Sequence, residues 1–483
     1  MELKGKVLHA LRWTATLRLL SQFLSWAMTL YVVRLLTVED YGLFSLAMVF
    51  VGLLMWTNEL GIGAALVQKK DITKYDYQLG FGIVLITNLV FSMTLVLLAP
   101  FISMYFEEPK LTPILQVTAL GFMTNAFIVI PESYLSRQLD FKNKSIVELV
   151  SNLGGGAITL ALAYLGYGVW AMVWGFVSIW AIRAIGLNII SPIHVLPRFS
   201  LKRAKQIITF GGLVTMDHLA WYFATRADAF IIGKLLGTSA LGIYSVALHV
   251  ASMPMQKING LLNEIAFPAF SSIQTDGEKV TAYLLKAIRL ISFFAFPIFF
   301  GLASVAPVFV ELVLGQKWLE AAYPLAVLSM VMPLRMIVNI YASTLRGIGR
   351  AGVSVLLTIL TGIIMIVGFV LGSRWGIKGV CLSWLITVPI STFLVALISR
   401  PFCGFGAFKL IRELFVPMLA SGIMFAGVVY SYPLLKNYLS EITLSVVIIL
   451  IAQVLLGIVI YVPLTWIFNR NSYREIQALR NNT

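Results

Sequence analysis

The run from Phe210 to Lys234, FGGLVTMDHLAWYFATRADAFIIGK, is long and apolar enough to cross a bilayer, yet it carries Asp217, His218, Arg226 and Asp228. Ionisable side chains at membrane depth are costly, so they face a bundle interior or a hydrated path and mark function. At about 100° per residue Asp217 and Asp228 fall about 20° apart around a helix and about 16 Å apart along it, while Arg226 points to nearly the opposite face. The two acids therefore serve separate contacts along one path, and Arg226 requires a partner on another element or an anionic ligand. Other basic residues also lie in or beside apolar runs: Arg18 and Arg34 near the ends of the first, Arg183 in the sixth, Lys257 in the polar break MQKING, and Arg335 in PLAVLSMVMPLRMIVNIYASTL. Arg18, Arg34 and Arg183 can snorkel to an interface. Arg335 is too deep for that and is either half of a structural ion pair or a ligand contact. The acids Glu59, Glu132 and Glu264 join Asp217 and Asp228 as groups that can neutralise buried arginines, hold a coupling cation or, when desolvated, carry a proton. Structural pairing leads for the two aspartates, and Glu59, at the end of the second apolar run, faces nearby helix dipoles.

Other chemistries are poorly served. The histidines His9, His194, His218 and His249 have no metal-ligand spacing. Cys381 and Cys403 give neither a disulfide framework nor a metal motif. LGGGA at Leu153 to Ala157 lacks the Lys and Ser or Thr of a phosphate loop, and close helix packing accounts for it.

The elements that must position these residues are membrane helices. Of 483 residues, 59% are hydrophobic, against roughly 45–50% in soluble domains. At about twenty apolar residues per span the chain divides into about fourteen runs. These are Thr16 to Leu36, Tyr41 to Leu60, Gln78 to Ala99, Ile114 to Tyr134, Ile146 to Leu165, Val169 to Ile190, Ile207 to Leu236, Ala240 to Phe270, Leu290 to Val310, Tyr323 to Leu345, Val353 to Gly372, Gly379 to Ser399, Leu414 to Leu434 and Ile442 to Phe468. The first run is too long for a signal-peptide core and lacks a small-residue cleavage site, so it is expected to remain as a helix. The net charge of +15 does not point to nucleic acid, because the basic residues alternate between loops. Roughly 25 of the 36 fall on one side, the pattern of cytoplasmic loops, which places both termini in the cytoplasm.

The chain also repeats. RLLTVEDYGLFSLAMVF from Arg34 aligns with KLLGTSALGIYSVALHV from Lys234, an offset of 200, with Gly42, Ser45 and Ala47 recurring as Gly242, Ser245 and Ala247. A weaker pair, GYGVWAMVW from Gly166 and GIKGVCLSW from Gly376, lies at an offset of 210. The first helix then corresponds to the seventh, and a shift of six helices preserves sidedness, so the halves are parallel repeats about an axis along the membrane normal. The expected organisation is a six-helix lobe over 1–190, a cytoplasmic amphipathic linker over 191–206, a second six-helix lobe over 207–400, and two additional helices with a cytoplasmic tail over 401–483. In the linker Ser200 can cap a short surface helix bearing Lys202, Arg203 and Lys205. At the 200-residue offset Arg226, Asp228 and Asp217 correspond to Trp26, Met28 and Leu17, so the charged path belongs mainly to the second repeat.

Several runs together resemble the Wzx-type polysaccharide transporters: VRLLTVEDYGLFSLAMVFVGLLMWTNELGIGAALVQKKDIT from Val33, YLSRQLDFK from Tyr134, LGYGVWAMVWG from Leu165, SLKRAKQIITFGG from Ser200 and TRADAFIIGKLLGTSALGIYSVA from Thr225. The similarity is greatest to the branch that exports colanic and teichuronic acid repeat units. It is close over the first half of the chain and more a matter of pattern beyond. It implies membership of the MOP superfamily, alongside the MATE exporters and the lipid II flippase, with an all-α fold of two six-helix lobes around a central cavity. The implied activity is non-enzymatic: moving undecaprenyl-diphosphate-linked oligosaccharides to the outer leaflet of the bacterial inner membrane. The implied partners are that glycan, membrane lipids, and the glycan polymerase and glycosyltransferases of the same pathway. No cofactor is implied; coupling to a H+ or Na+ gradient is proposed for relatives.

For such a substrate, arginine suits the diphosphate because its planar fork donates paired hydrogen bonds and stays charged. Arg226, Arg335, Arg18 and Arg34 are thus the candidate diphosphate contacts, and Tyr222 and Trp26 are candidates to stack on sugar rings. Asp228, Asp217, His218, Glu59 and Glu264 are the candidates for ion coupling or ion pairing. The alternative is a MATE-like exporter of small organic cations, whose path should be acidic and aromatic; membrane arginines repel a cation. A glycan-processing membrane enzyme would need a sizeable extramembrane loop, which is lacking here.

Overall fold

The computed structural model of the chain describes residues 22, 24–58, 62–69, 71–199, 222, 226–438 and 445–468. Among the described residues the secondary structure is helical, without strands. They fall into two compact units, Met1–Gly242 and Ile243–Thr483. Among the described residues ten helical stretches are long and apolar enough to cross a membrane; Leu111–Arg137 contains three α-helices and Ala351–Ile398 two. The protein is therefore a multi-pass, all-α membrane protein. Thr16 to Leu36, Tyr41 to Leu60, Ile207 to Leu236 and Ile442 to Phe468, four of the fourteen expected spans, lie partly outside the described residues.

The first unit contains α1 (Leu24–Leu35), α2 (Val38–Asn58), α3 (Ile62–Gln68) and α4 (Lys74–Phe106). A span broken into α5 (Leu111–Thr118), α6 (Leu120–Ala126) and α7 (Val129–Arg137) follows, then α8 (Phe141–Tyr164) and α9 (Val169–Ile190). Helix α10 (226–235) completes the unit with the first residues of α11 (Gly237–Ser272). A capping box starts α4: the Thr73 hydroxyl accepts from the Asp76 N–H, and the Asp76 carboxylate accepts from the Thr73 N–H. The breaks in the fourth span have a chemical origin. Thr118 donates to Ile114 O and Thr124 to Gly121 O, each at 2.9 Å, and hydroxyls returning to the preceding turn bend a helix.

Two close crossings shape this unit. A Cβ at Gly155 of α8 would lie 2.1 Å from Ile179 Cγ1 and 3.0 Å from Gly175 O of α9, so the LGGGA run is a packing surface, as expected. At the starts of α2 and α11 a Cβ on Gly42 would lie 1.9 Å from Thr238 O, and one on Gly242 would lie 2.0 Å from Val38 O. Gly42 corresponds to Gly242, and Val38 to Thr238, at the 200-residue offset. Such a reciprocal contact is the signature of a local two-fold axis, so the repeat has a structural counterpart here.

Ser191 to Phe199 is not helical. Pro192 and Pro197 bias the residues before them to extended conformations. The segment lies along α4, where the Arg198 N–H donates to Gln78 O at 2.9 Å and the guanidinium sits 5.5 Å over the Tyr75 ring. The expected surface helix, with Ser200, Lys202, Arg203 and Lys205, falls outside the described residues.

In the second unit, α12 (Gly277–Phe309) is the central helix, burying Leu284, Ile288, Phe296, Phe299 and Ala306. Against it pack α13 (Ala322–Gly347), the single turn α16 (Arg400–Cys403), α17 (Ala407–Tyr438) and α18 (Ser445–Phe468), while α14 (Ala351–Gly372) and α15 (Gly376–Ile398) pack on α13 and on each other. The two additional C-terminal helices are fastened to α12. Arg289 grips Glu413 of α17 through Nε to Oε2 at 2.9 Å and Nη2 to Oε1 at 3.3 Å, and the Tyr461 hydroxyl of α18 donates to Phe293 O at 2.7 Å.

Candidate functional site

The charged stretch that opens the second repeat lies in the first unit. Tyr222 is 3% exposed and its hydroxyl donates to Val49 O of α2 at 2.7 Å. A Cβ on Gly52 would come within 2.5 Å of that oxygen, so the ring fills the space that the glycine leaves. In this structure the Tyr222 ring, a candidate to stack on a sugar, is enclosed and bonded to α2. Four residues on, Arg226 is exposed, while Asp228 is 2% exposed with Oδ1 accepting from the Ala229 N–H at 2.8 Å. Arg226 and Asp228 thus differ sharply in environment, as their angular separation on a helix predicts. Beyond them Phe230 packs edge-on to Phe106 and stacks on Tyr105 of α4, with ring centroids 5.3 and 6.0 Å apart.

At the end of this unit where α1 passes into α2, Lys234 donates to Tyr105 O and pairs with Glu107 at 3.1 Å. Thr238 donates to Glu108 at 2.8 Å and Ser239 to Glu39 at 2.9 Å. Trp26 and Tyr31 lie on α1, Tyr31 half exposed, and Arg34 is exposed at its end. Arg183 meets Glu132 at 3.0 Å, and Lys144 meets the other oxygen of Glu132 at 2.7 Å. Both oxygens of that carboxylate are engaged, so Arg183 has a structural counter-charge rather than only an interface to reach.

In the second unit Arg335, half-buried in α13, lies with its guanidinium carbon 4.7 Å over the Trp384 ring of α15. The Trp384 Nε1–H donates to the Tyr244 hydroxyl of α11 at 2.9 Å, and Phe369 of α14 packs on the indole at 5.3 Å. Three helices therefore determine where this arginine sits. A second feature is an apolar groove of about 470 Å³ between α11, α12, α17 and α18, lined by Pro254, Pro297, Gly301, Met424, Gln453 and Ile458 among others. The Gln453 amide nitrogen donates to Val428 O at 3.4 Å, while its Oε1 has no hydrogen-bond partner among the described residues. Sequence reading singled out neither Trp384 nor Gln453. The usable signal for the first was Tyr244 standing where the other repeat has Phe44.

Arg18, Glu59, Asp217 and His218 lie outside the described residues, as do the side chains of Glu264 and Lys257. No group of three or more His, Cys, Asp and Glu side chains able to hold a metal occurs among the described residues.

Comparison with known proteins gives a consistent picture. Residues 31–323 match the family described as "Polysaccharide biosynthesis protein". The chain is 26% identical over 440 residues to the lipopolysaccharide biosynthesis protein WzxC of Escherichia coli K12, covering 87% of this chain and 86% of that one. It is 26% identical over 378 residues to the teichuronic acid biosynthesis protein TuaB of Bacillus subtilis, covering 71% and 75%. In fold it is similar to the lipid II flippase MurJ in an inward closed conformation, with a TM-score of 0.73, 17% identity, and coverage of 95% and 99%.

Proposed function

Because this chain belongs to the polysaccharide biosynthesis protein family, we propose that it is a flippase that moves undecaprenyl-diphosphate-linked oligosaccharide repeat units across the bacterial inner membrane, supplying exopolysaccharide, O-antigen or similar glycan synthesis. Such a molecule has a doubly anionic diphosphate, a hydroxyl-rich glycan and a hydrocarbon tail. The first two oppose crossing, since unpaired charge and hydroxyls are expensive in hydrocarbon. A protein that supplies cationic and hydrogen-bonding surface along the way lowers that barrier while the tail stays in lipid or in an apolar groove. No covalent bond changes, so the protein acts as a transporter and not as an enzyme.

The observation that carries this reading is Arg335, held half-buried over Trp384 inside the helical packing of the second unit. A guanidinium at membrane depth has the charge and the planar fork that suit a diphosphate. Arg226, exposed on α10, supplies a second cation. The groove lined by Met424 and Ile458 suits the prenyl tail. Tyr222, enclosed against α2, serves packing. The transporter works by alternating access, with both termini in the cytoplasm and a H+ or Na+ gradient as its energy source. It acts beside the glycosyltransferases and the polymerase of its pathway.

The test is reconstitution of the full chain in liposomes with a fluorescent undecaprenyl-diphosphate oligosaccharide and a membrane-impermeant quencher. Wild-type protein should make the inner-leaflet probe accessible, and Arg226→Ala should abolish this while remaining folded and inserted. Absence of movement by folded wild-type protein, or movement of ethidium instead, would refute the flippase reading. Full activity of Arg226→Ala would remove that residue from the path.

A further inference from the structure

Among the described residues most ion pairs match one cation to one acid. Lys69 answers Asp76, Lys234 answers Glu107, Lys279 answers Asp276 and Arg289 answers Glu413. Glu132 of α7 instead meets two cations, Lys144 of α8 at 2.7 Å and Arg183 of α9 at 3.0 Å. All three side chains are about three-quarters buried, so water screens them only in part. Glu148, the next acid on α8, forms no ion pair among the described residues. Two cations drawn to one carboxylate repel each other, and an anion placed beside them relieves that cost.

The unused donors are of one kind. Arg183 meets Glu132 through Nη2 alone, whereas Arg289 grips Glu413 through both Nε and Nη2. The Nε and Nη1 N–H groups of Arg183 have no acceptor among the described residues. Lys144 spends its donors on Glu132 and, at 3.4 Å, on the Ser136 hydroxyl, and an ammonium has a third. A planar guanidinium fork beside an ammonium is the donor set that suits phosphate oxygens.

Depth narrows the source of that phosphate. Lys144 lies in the first turn of α8 and Arg183 two turns before the end of α9, about 5 and 10 Å from those helix ends by helix rise. Consecutive spans place both ends on the same side of the membrane, where long basic side chains reach the phosphates of one leaflet. We propose that Arg183 and Lys144, oriented by Glu132, form a site for the phosphate group of a membrane lipid in the leaflet where α8 begins. The carboxylate holds the two cations in place, and the lipid phosphate balances the charge that it leaves over.

The experiment is native mass spectrometry of the purified full chain in detergent, with melting temperature measured in parallel. The probes are a short-chain phosphatidylglycerol, the diacylglycerol with the same chains, and inorganic diphosphate. Wild-type protein should bind phosphatidylglycerol in preference to diacylglycerol. Arg183→Gln should weaken that binding about tenfold, the effect of losing hydrogen bonds from a charged donor, and Lys144→Gln about threefold to tenfold. Glu132→Gln should act with the opposite sign on binding: it lowers the melting temperature of the ligand-free protein, yet tightens phosphatidylglycerol binding, so that the lipid raises its melting temperature by more than it raises that of wild type. A triad that only ties helices together lowers the melting temperature in all three variants and leaves lipid preference unchanged, which overturns the site. Absence of a preference over diacylglycerol in wild type, or a preference kept in full by Arg183→Gln, also overturns it. Lys144→Gln leaves the Glu132 to Arg183 pair in place and keeps the test open should Glu132→Gln not fold. Binding of diphosphate without binding of phosphatidylglycerol overturns the lipid source and assigns the site to free phosphate.

Discussion

Glu107 closes α4 in the left-handed region, with φ of 60° and ψ of 31°, its N–H and that of Glu108 returning to carbonyls of the last turn. Glycine is the favoured residue there, and a side chain costs roughly 1–2 kcal/mol. The carboxylate pairs with Lys234 but is 83% exposed, and exposed pairs are worth about 0–1 kcal/mol. Lys234 also donates to Tyr105 O and keeps that partner without Glu107. Glu107→Gly should therefore raise thermal stability by the equivalent of up to about 1 kcal/mol. A lower melting temperature would mean that the pair with Lys234 outweighs the backbone strain. The charged residues divide by a similar weighing. Glu132 engages Lys144 and Arg183 and holds three helices together, and the Arg335 guanidinium lies over an aromatic face.

At the scale of elements, the crossing of α2 and α11 is the most demanding contact in the first unit, because backbone meets backbone. A methyl group on Gly42 would fall 1.9 Å from Thr238 O, and no rotamer change relieves a clash with a carbonyl. Gly42→Ala and Gly242→Ala should each cost about 1–3 kcal/mol, the usual penalty of overpacking. Since the contact is reciprocal, either methyl pushes the same two helices apart, and the double variant should lose much less than the sum of the single losses. Chemical denaturation in detergent checks this, and full additivity would rule out the shared crossing. On the other side of the α11 sequence, the Arg289 to Glu413 pair and the Tyr461 to Phe293 bond explain why the last two helices belong to the second unit. They also complete the apolar groove, which is lined partly by Met424 and Ile458.

At the scale of the whole molecule, net movement of the substrate needs an energy source, for which a H+ or Na+ gradient is proposed above. Asp228 is a carboxylate buried in α10, and ionisable groups at membrane depth mark function. In liposomes loaded to give either an inward or outward H+ or Na+ gradient, the wild-type flux should follow one of the two ions. Asp228→Asn should abolish that response while leaving gradient-independent equilibration of the lipid. Flux indifferent to both gradients would remove ion coupling, and a gradient response retained by Asp228→Asn would place it elsewhere.

Much of this protein is legible in one dimension. Hydrophobic length sets the spans, the alternation of basic loops sets their expected sidedness, and the recurrence of Gly42 as Gly242 marks the repeat, because each depends on residues close together or on simple spacing. The LGGGA run announces close helix packing for the same reason. What only the tertiary structure decided is which side chain answers each charge. Helical periodicity gives the face of Arg183, Tyr222 or Arg335, but not the neighbour across the interface. Arg183 and Glu132 are 51 residues apart, Tyr222 and Val49 are 173 apart, and Trp384 and Tyr244 are 140 apart. In a membrane, where water satisfies nothing, those distant partners determine whether a polar group is structural or available to a substrate.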